Sequence, residues 1–335
     1  MNPAPVPPAN DTLAPTMAAG PDPVPGGWAT RIDAASLLAL RHSARFLPAS
    51  AQQSRSLQSG STHSLFKGSG IEYAESRPYL PGDEIRHIDW RITARSGKPH
   101  TKLFHEERDR TTLLWLDLRS SLFFASRGTF KAVAAARAAT LLAWHAIGQG
   151  HRLGAAICLD NQHLALRPQH HARTVVQLIG LLSGLSAEQP PGSDNPEQQL
   201  EESLMRLRRI TRPGSRLFLF SDWNPPSDRL LLHLSQLARH NELLLTMLYD
   251  PLEYTLPPPG RYPLQDGERL LLLDSHGKGQ REAYRNRFQE KVQHLQNFCH
   301  THRIGFLTCA TNEDAVSKLL RLFASPAPTF AADHV

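Results

Sequence analysis

The stretch that decides the fold is Thr112-Leu-Leu-Trp-Leu-Asp117, with the amphipathic run Phe130–Ile147 and the second apolar run Leu153–Leu159 that follow it. A short apolar run, a helical stretch and another apolar run at this spacing form a β-α-β unit. The pattern then repeats. Further strands are expected at Arg216–Phe220, Leu243–Tyr249, Arg269–Leu273 and Ile304–Cys309. Helices are expected at Ala172–Leu185, Pro196–Ile210, Ser227–His240, Glu282–His302 and Glu313–Phe323. Alternation of this kind predicts an α/β protein with a doubly wound, mostly parallel sheet. In such sheets functional groups gather beyond the carboxyl ends of the strands, where the strand order reverses. Two of the expected strands run into an aspartate there, Asp117 and Asp222.

Upstream the texture differs. Eight of the 26 prolines fall within the first 28 residues, without apolar periodicity, and 1–28 reads as a disordered tail. Asp33–Arg45 reads as a short helix capped by Asp33, and Gln52–Gly70, rich in Ser, Gly and Gln, as a linker. Residues 71–110 are punctuated by Pro78, Pro81-Gly82, Gly97 and Pro99, as suits a small β-rich subdomain. The expected organisation is therefore a tail (1–28), a helix, linker and β-rich subdomain (29–110), an α/β domain (111–325) and a C-terminal tail (326–335).

With 40% hydrophobic residues, 335 residues can bury a substantial core, and no run approaches the roughly 20 apolar residues of a spanning helix. No integral membrane segment is expected. The opening MNPAPVPP lacks the basic and apolar regions of a secretory leader, so a cytoplasmic location is expected. The formal charge of +6 is spread along the chain without aromatic and basic interleaving, and no nucleic-acid partner is expected. Nor does any helix set a Lys/Arg face against interfacial aromatics, the pattern of a peripheral membrane protein. Cys158, Cys299 and Cys309 are too few and too widely spaced for a disulfide framework or a zinc site, and read as core thiols.

Catalytic signatures are thin. No phosphate-binding G-x-x-x-x-G-K-[ST] occurs, His105-Glu-Glu-Arg108 is followed by Asp109 where a zincin needs His, and Ser221 lacks a G-x-S-x-G context. The densest polar segment is Arg77-Pro-Tyr-Leu-Pro-Gly-Asp-Glu-Ile-Arg-His-Ile-Asp-Trp90. Its Pro81-Gly82 suits a type II turn, and Arg77, Arg86, Arg91 and Arg95 lie within reach of Asp83, Glu84 and Asp89. The segment reads as a polar clasp of Arg77, Pro81, Gly82, Asp83, Arg86, Asp89 and Trp90, or as a binding surface.

That segment resembles the bacterial family described as domain of unknown function 58. It does so together with Gly68-Ser-Gly-Ile-Glu-Tyr73, Lys102-Leu-Phe-His-Glu-Glu-Arg-Asp109, Leu116-Asp-Leu-Arg-Ser-Ser-Leu122 and Asp250-Pro-Leu-Glu253. The resemblance covers roughly Gly68 to Phe323. It implies an α/β half similar to von Willebrand factor A domains, and a non-enzymatic partner of MoxR-type AAA+ ATPases in assembling or maturing client proteins. Von Willebrand A domains can hold Mg²⁺ through D-x-S-x-S, a second-loop hydroxyl and a later Asp. Carried over, these positions fall on Asp117, Ser121, Ser193 and Asp222, while Arg119 stands where the first Ser would be. An arginine cannot ligate a metal, so two states stay open: Mg²⁺ on Asp117, Ser121, Ser193 and Asp222, or no cofactor, with the Arg119 guanidinium in place of the cation. In both, these five residues form the rim of a partner-binding face. The alternative is a Mg²⁺-dependent hydrolase or nuclease built on Asp117, Asp222 and perhaps Asp250. The segment Asp250-Pro-Leu-Glu253 itself reads as a capped turn at a strand end.

Overall fold

The computed structural model describes residues 30–48, 72–80, 85–105, 110–185, 195–224, 226–266 and 269–324. Both tails, the Gln52–Gly70 linker, the clasp residues Pro81, Gly82 and Asp83, and Ser193 lie outside them.

Six strands form the central sheet: β3 (Thr111–Asp117), β4 (Arg152–Cys158), β5 (His163–Gln169), β6 (Arg216–Ser221), β7 (Glu242–Tyr249) and β10 (Gly305–Ala310). Their order is β10-β7-β6-β3-β4-β5, and every pairing is parallel except β4 with β5. Counted from β3 this is the 3-2-1-4-5-6 order of doubly wound sheets, and the order reverses between β3 and β6. The five parallel strands lie where the periodicity puts them. The edge strand β5 went unread because its burial alternates only weakly, and its residues are half-buried or exposed.

Strand alternation sends each side chain to one of two cores. Leu114 and Leu116 of β3 join Phe218 and Phe220 of β6 in one core; Leu113 and Trp115 join Leu217 and Leu219 in the other. The first core is roofed by α3 (Lys131–Gly148), α4 (Ala172–Ser183) and α9 (Ala315–Ala324), with the N-terminal α1 (Ala34–Ser43) laid across α3 and α4. The second lies under α5 (Pro196–Ile210), α6 (Asp228–Ala238) and α8 (Lys278–Thr301). Their sequences suit these places. In α4 the buried residues Val175, Leu178, Ile179 and Leu182 keep one-face helical spacing. In α3, alanines on nearly every side let it sit against the sheet and helices at once. Asp33 caps α1 by accepting from the Ser36 amide at 2.7 Å.

Arg269–Leu273 is a strand, β9 (Arg269–Asp274), but not of this sheet. It pairs antiparallel with β8 (Arg261–Asp266) as a separate ribbon between the short α7 (Pro251–Tyr254) and α8. Ahead of the α/β body, β1 (Glu72–Pro78) and β2 (His100–His105) pair antiparallel around α2 (Trp90–Ser96).

Candidate functional site

The switch point between β3 and β6 carries a buried ionic centre. Asp117 is fully buried at the end of β3, and Arg119 is 3% exposed. The guanidinium grips the carboxylate with both prongs, Nε to Oδ1 at 2.8 Å and Nη2 to Oδ2 at 2.7 Å. The Arg119 amide donates to Oδ1 at 3.3 Å, and the Ser221 hydroxyl to Oδ2 at 2.7 Å. Four donors fill the acceptor capacity of a carboxylate. The remaining Arg119 nitrogen, Nη1, donates to the Pro196 carbonyl at 2.8 Å and ties the pair to the start of α5. Burial disfavours the charge on Arg119, but the hydrogen-bonded Asp117, with a smaller share from Asp222, outweighs it and raises the guanidinium above its ordinary pKa.

Asp222 follows β6 by one residue, and that offset turns it to the other face of the sheet. Ser221 shares the parity of Leu217 and Leu219 and meets Asp117; Asp222 shares that of Phe218 and Phe220 and meets α3. Its cation is Lys131, 1% exposed, with Nζ 3.5 Å from Asp222 and 2.6 Å from Glu253. As the first residue of α3, Lys131 sits against the positive end of that helix dipole, so the two carboxylates compensate both the dipole and burial. Lys291 of α8 donates to the Asp222 carbonyl at 2.9 Å, and burial pulls its pKa down against the pull of Asp222 and Glu253.

Between them, Trp223 has φ of +50°, a left-handed backbone uncommon for a bulky residue. Its fully buried indole stacks on Trp115 with centroids 5.7 Å apart and donates to the Thr246 carbonyl at 3.2 Å, while its amide donates to Ser221 Oγ at 3.0 Å. Packing over-determines the strained turn and thereby fixes Ser221 and Asp222 on opposite sides.

Two more aspartates close the face. Asp250, fully buried after β7, accepts from the Ser126 amide and hydroxyl, Thr311 Oγ1 and the Leu252 amide, again four donors. With Glu253 it forms the capping box of α7, as expected of Asp250-Pro-Leu-Glu253, and through Glu253 it reaches Lys131. Asp160, after β4, accepts from the Ser120 amide at 2.8 Å.

The expected rim is thus assembled only in part. Asp117, Arg119 and Asp222 are at the switch point but buried, and Asp117 and Asp222 have separate cations. Ser121 is exposed in the turn after β3. Of the residues that complete the site, Ser221 was accessible to a parity count along β6, whereas Lys131, Glu253 and Asp160 meet their partners only through long-range contacts. These donors do not fit Mg²⁺: all four acceptor positions of Asp117 are taken, and the resident cations Arg119, Lys131 and Lys291 occupy the neighbourhood. Among the described residues no group of three or more His, Cys, Asp or Glu could hold a metal.

In the clasp, Asp89 does not act through an arginine pair. Its Oδ1 caps α2 by accepting from the Arg91 and Ile92 amides at 3.1 and 3.2 Å, and Oδ2 accepts from Ser76 Oγ at 3.0 Å. The capping bonds hold its pKa below the ordinary 3.8. Arg77 donates to the Pro78 carbonyl, while Arg86 and Trp90 are exposed.

Fold and site together define a mixed α/β protein with a six-stranded sheet, a clear switch point and its own cations there. The chain belongs to the family described as protein of unknown function DUF58, whose model matches residues 75–297. It is similar to the uncharacterized proteins Mb1516 of Mycobacterium bovis and Rv1480 of Mycobacterium tuberculosis, each 31% identical over 207 residues. The match covers 61% of this chain and 63% of the length of those relatives. Among solved structures it is similar to the conserved hypothetical protein BatB from Bacteroides thetaiotaomicron (TM-score 0.38, 9% identity, 65% of this chain and 98% of that one). An aerotolerance-related membrane protein from Bacteroides fragilis gives 0.39, 10% identity, and 64% and 96% coverage. An uncharacterized membrane spanning protein from Vibrio fischeri gives 0.22, 14% identity, and 63% and 96% coverage. Two of the three are membrane proteins by name, and the cytoplasmic expectation is withdrawn on that finding. It rested on missing leader and spanning segments alone. Among the described residues no helix is long and apolar enough to cross a membrane.

Proposed function

We propose that the chain is a von Willebrand factor A-like protein-interaction module without catalysis of its own, an adaptor or chaperone partner of a MoxR-type AAA+ ATPase in the assembly or maturation of client proteins. The observation that carries this reading is the saturation of Asp117 by Arg119 and Ser221 at the switch point, beside an exposed Ser121. A face of this kind has fixed dipoles and charges for recognition, and its central carboxylate is neither a free base nor a free ligand. The hydrolase or nuclease alternative is weaker, because two of its three acids, Asp117 and Asp250, already accept four hydrogen bonds each.

Titration calorimetry of Mg²⁺ and Mn²⁺ into chelator-treated protein tests the metal-free part. No saturable heat is expected until Arg119→Ser frees Asp117; tight binding by the natural protein refutes it. The partner is tested with a purified MoxR-type ATPase of the same organism. Asp117→Ala is unsuited, since it would strand a buried guanidinium. Ser121→Arg, at an exposed position, is expected to weaken the complex at least tenfold with unchanged circular dichroism, and equal affinity sinks the rim.

A further inference from the structure

The small unit of β1, β2 and α2 presents a second face that the switch-point centre does not use. Leu80, Ile85 and Trp90 are 57%, 69% and 68% exposed. Exposed apolar residues on a polar surface are unremarkable singly, but here local structure holds two of the three, Ile85 and Trp90, out. Ile85 opens a tight 3-10 turn (Ile85–His87), whose end is fixed by the Ile88 bridge to Thr101. Asp89 then bonds through its amide to the His100 carbonyl at 2.7 Å and caps α2, which makes Trp90 the first helical residue and points the chain's inward side to Ile92 and Thr93. Gly97, at φ +70°, ends the helix after seven residues.

The exposed charges of residues 85–98 are cationic. The whole unit, 72–105, carries Arg77, Arg86, Arg91, Arg95, Lys98 and Lys102 against Glu72, Glu75, Asp83, Glu84 and Asp89. Asp89 is buried in its capping bonds, whereas Arg86, Arg91, Arg95 and Lys98 are exposed. Exposed Trp, Ile and Leu side chains interspersed along the chain with exposed arginines are suited to a boundary with apolar material on one side and fixed negative charge on the other. A protein partner requires a contiguous, shape-complementary apolar core, usually with anchors in pockets. Separate protrusions suit a surface with no fixed shape, into which a tryptophan inserts at headgroup level while arginines meet phosphates.

We propose that this face is a reversible anchor for an anionic phospholipid surface. It is independent of the switch-point centre. Among the described residues no single helix sets a basic face against aromatics; the exposed residues come from the segment after β1, a 3-10 turn and a short helix.

The test is co-sedimentation of the full chain with vesicles of equal phosphatidylglycerol and phosphatidylcholine, and with phosphatidylcholine alone. Partitioning onto the anionic vesicles is expected to be at least tenfold stronger, with a blue shift of tryptophan emission. Trp115, Trp144 and Trp223 are buried, so in protein whose fifth tryptophan, Trp28, is replaced by Phe the shift should vanish on Trp90→Phe. The pair Ile85→Ser with Trp90→Ala should lower partitioning at least tenfold. Arg91→Gln with Arg95→Gln should lower it about twenty-five-fold, at about fivefold per cation. All four positions are exposed, and circular dichroism should be unchanged. Absence of binding, equal binding to both vesicles, or binding that survives both double variants overturns the anchor. So does full displacement by soluble polyglutamate at matched charge, which would assign the face to an acidic protein.

Discussion

Replacing Arg119 with Met is the most direct way to weigh the centre. The side chains are of similar length, so the apolar stem is largely kept while the guanidinium is lost. Asp117 would then be fully buried with two of its four donors left, the amide of residue 119 and the Ser221 hydroxyl, and the Pro196 carbonyl would lose the Nη1 donor. Stranding one partner of a buried ion pair costs about 3–5 kcal/mol. At about 2–4 °C per kcal/mol for a domain of this size, the melting temperature should fall by about 6–20 °C. The double variant Asp117→Asn with Arg119→Met removes both charges, and should recover most of the loss, because a neutral replacement of a buried pair is often close to neutral in stability. A double-mutant cycle in urea would therefore give a coupling of at least about 2 kcal/mol. The transition can be followed by near-ultraviolet circular dichroism of the stacked Trp115 and Trp223 beside the pair. A cost below about 1 kcal/mol for Arg119→Met, or additivity in the cycle, would mean that water reaches the pair and that Arg119 is not the resident cation.

Three further outcomes are expected. Gly128 has φ of +80°, and a Cβ there would lie 2.3 Å from the Thr311 carbonyl oxygen, so Gly128→Ala should destabilise by more than about 1 kcal/mol, where an unstrained Gly→Ala is mildly stabilising, and lower the urea midpoint accordingly; an unchanged midpoint refutes the close approach. His145 on α3 has its pKa pulled below 6.5 by burial, against a bond to the Ala44 backbone, so the unfolded chain binds the proton first and stability should fall as pH drops below 6.5. Urea midpoints at pH 7.5 and 5.5 should differ less in His145→Asn, and an unchanged difference removes His145 as a cause. Burial pushes the thiols of Cys158, Cys299 and Cys309 up to about 12, so the native protein should release almost no colour with a disulfide reagent at pH 8 until denatured, and a fast-reacting thiol contradicts their burial.

The fold was legible where burial imposes a period. β3, β4, β6 and β7 are apolar runs ended by polar residues, and α4 keeps its buried face at helical spacing, so each fell within a few residues of its observed limits. β5 was silent because none of its residues is buried, whereas the opposite edge strand β10 buries four of its six and wrote an apolar run. β9 was legible as a strand but not as part of a separate ribbon, since pairing is a long-range choice that a six-residue apolar run does not encode. The site was half legible. An aspartate after each of two adjacent strands marked the switch point, and Arg119 two residues beyond Asp117 marked its cation. Lys131 carried no local sign of its role, because the carboxylates that hold it come from residues 91 and 122 positions away.

The one-residue offset between Ser221 and Asp222 explains why Asp117 and Asp222 are paired with different cations. Had Asp222 stood at position 221, it would have faced Asp117 across the same side of the sheet, and two adjacent buried carboxylates need a shared positive charge of more than one unit to stay ionised. A divalent ion supplies that; one guanidinium does not. With Ser at 221 the hydroxyl donates to Asp117 instead of repelling it, and Asp222 is turned to α3, where Lys131 meets it together with Glu253. The strained Trp223 holds that division in place. Arg119, Lys131 and the Ser221-Asp222 step are therefore one arrangement. Arg119→Ser alone frees Asp117 but leaves Lys131 beside Asp222, so any ion it admits should bind weakly, and Lys131→Met added to it should strengthen Mn²⁺ binding in the same calorimetric titration. Equal affinity in the single and double variants would show that the two faces of the sheet act separately.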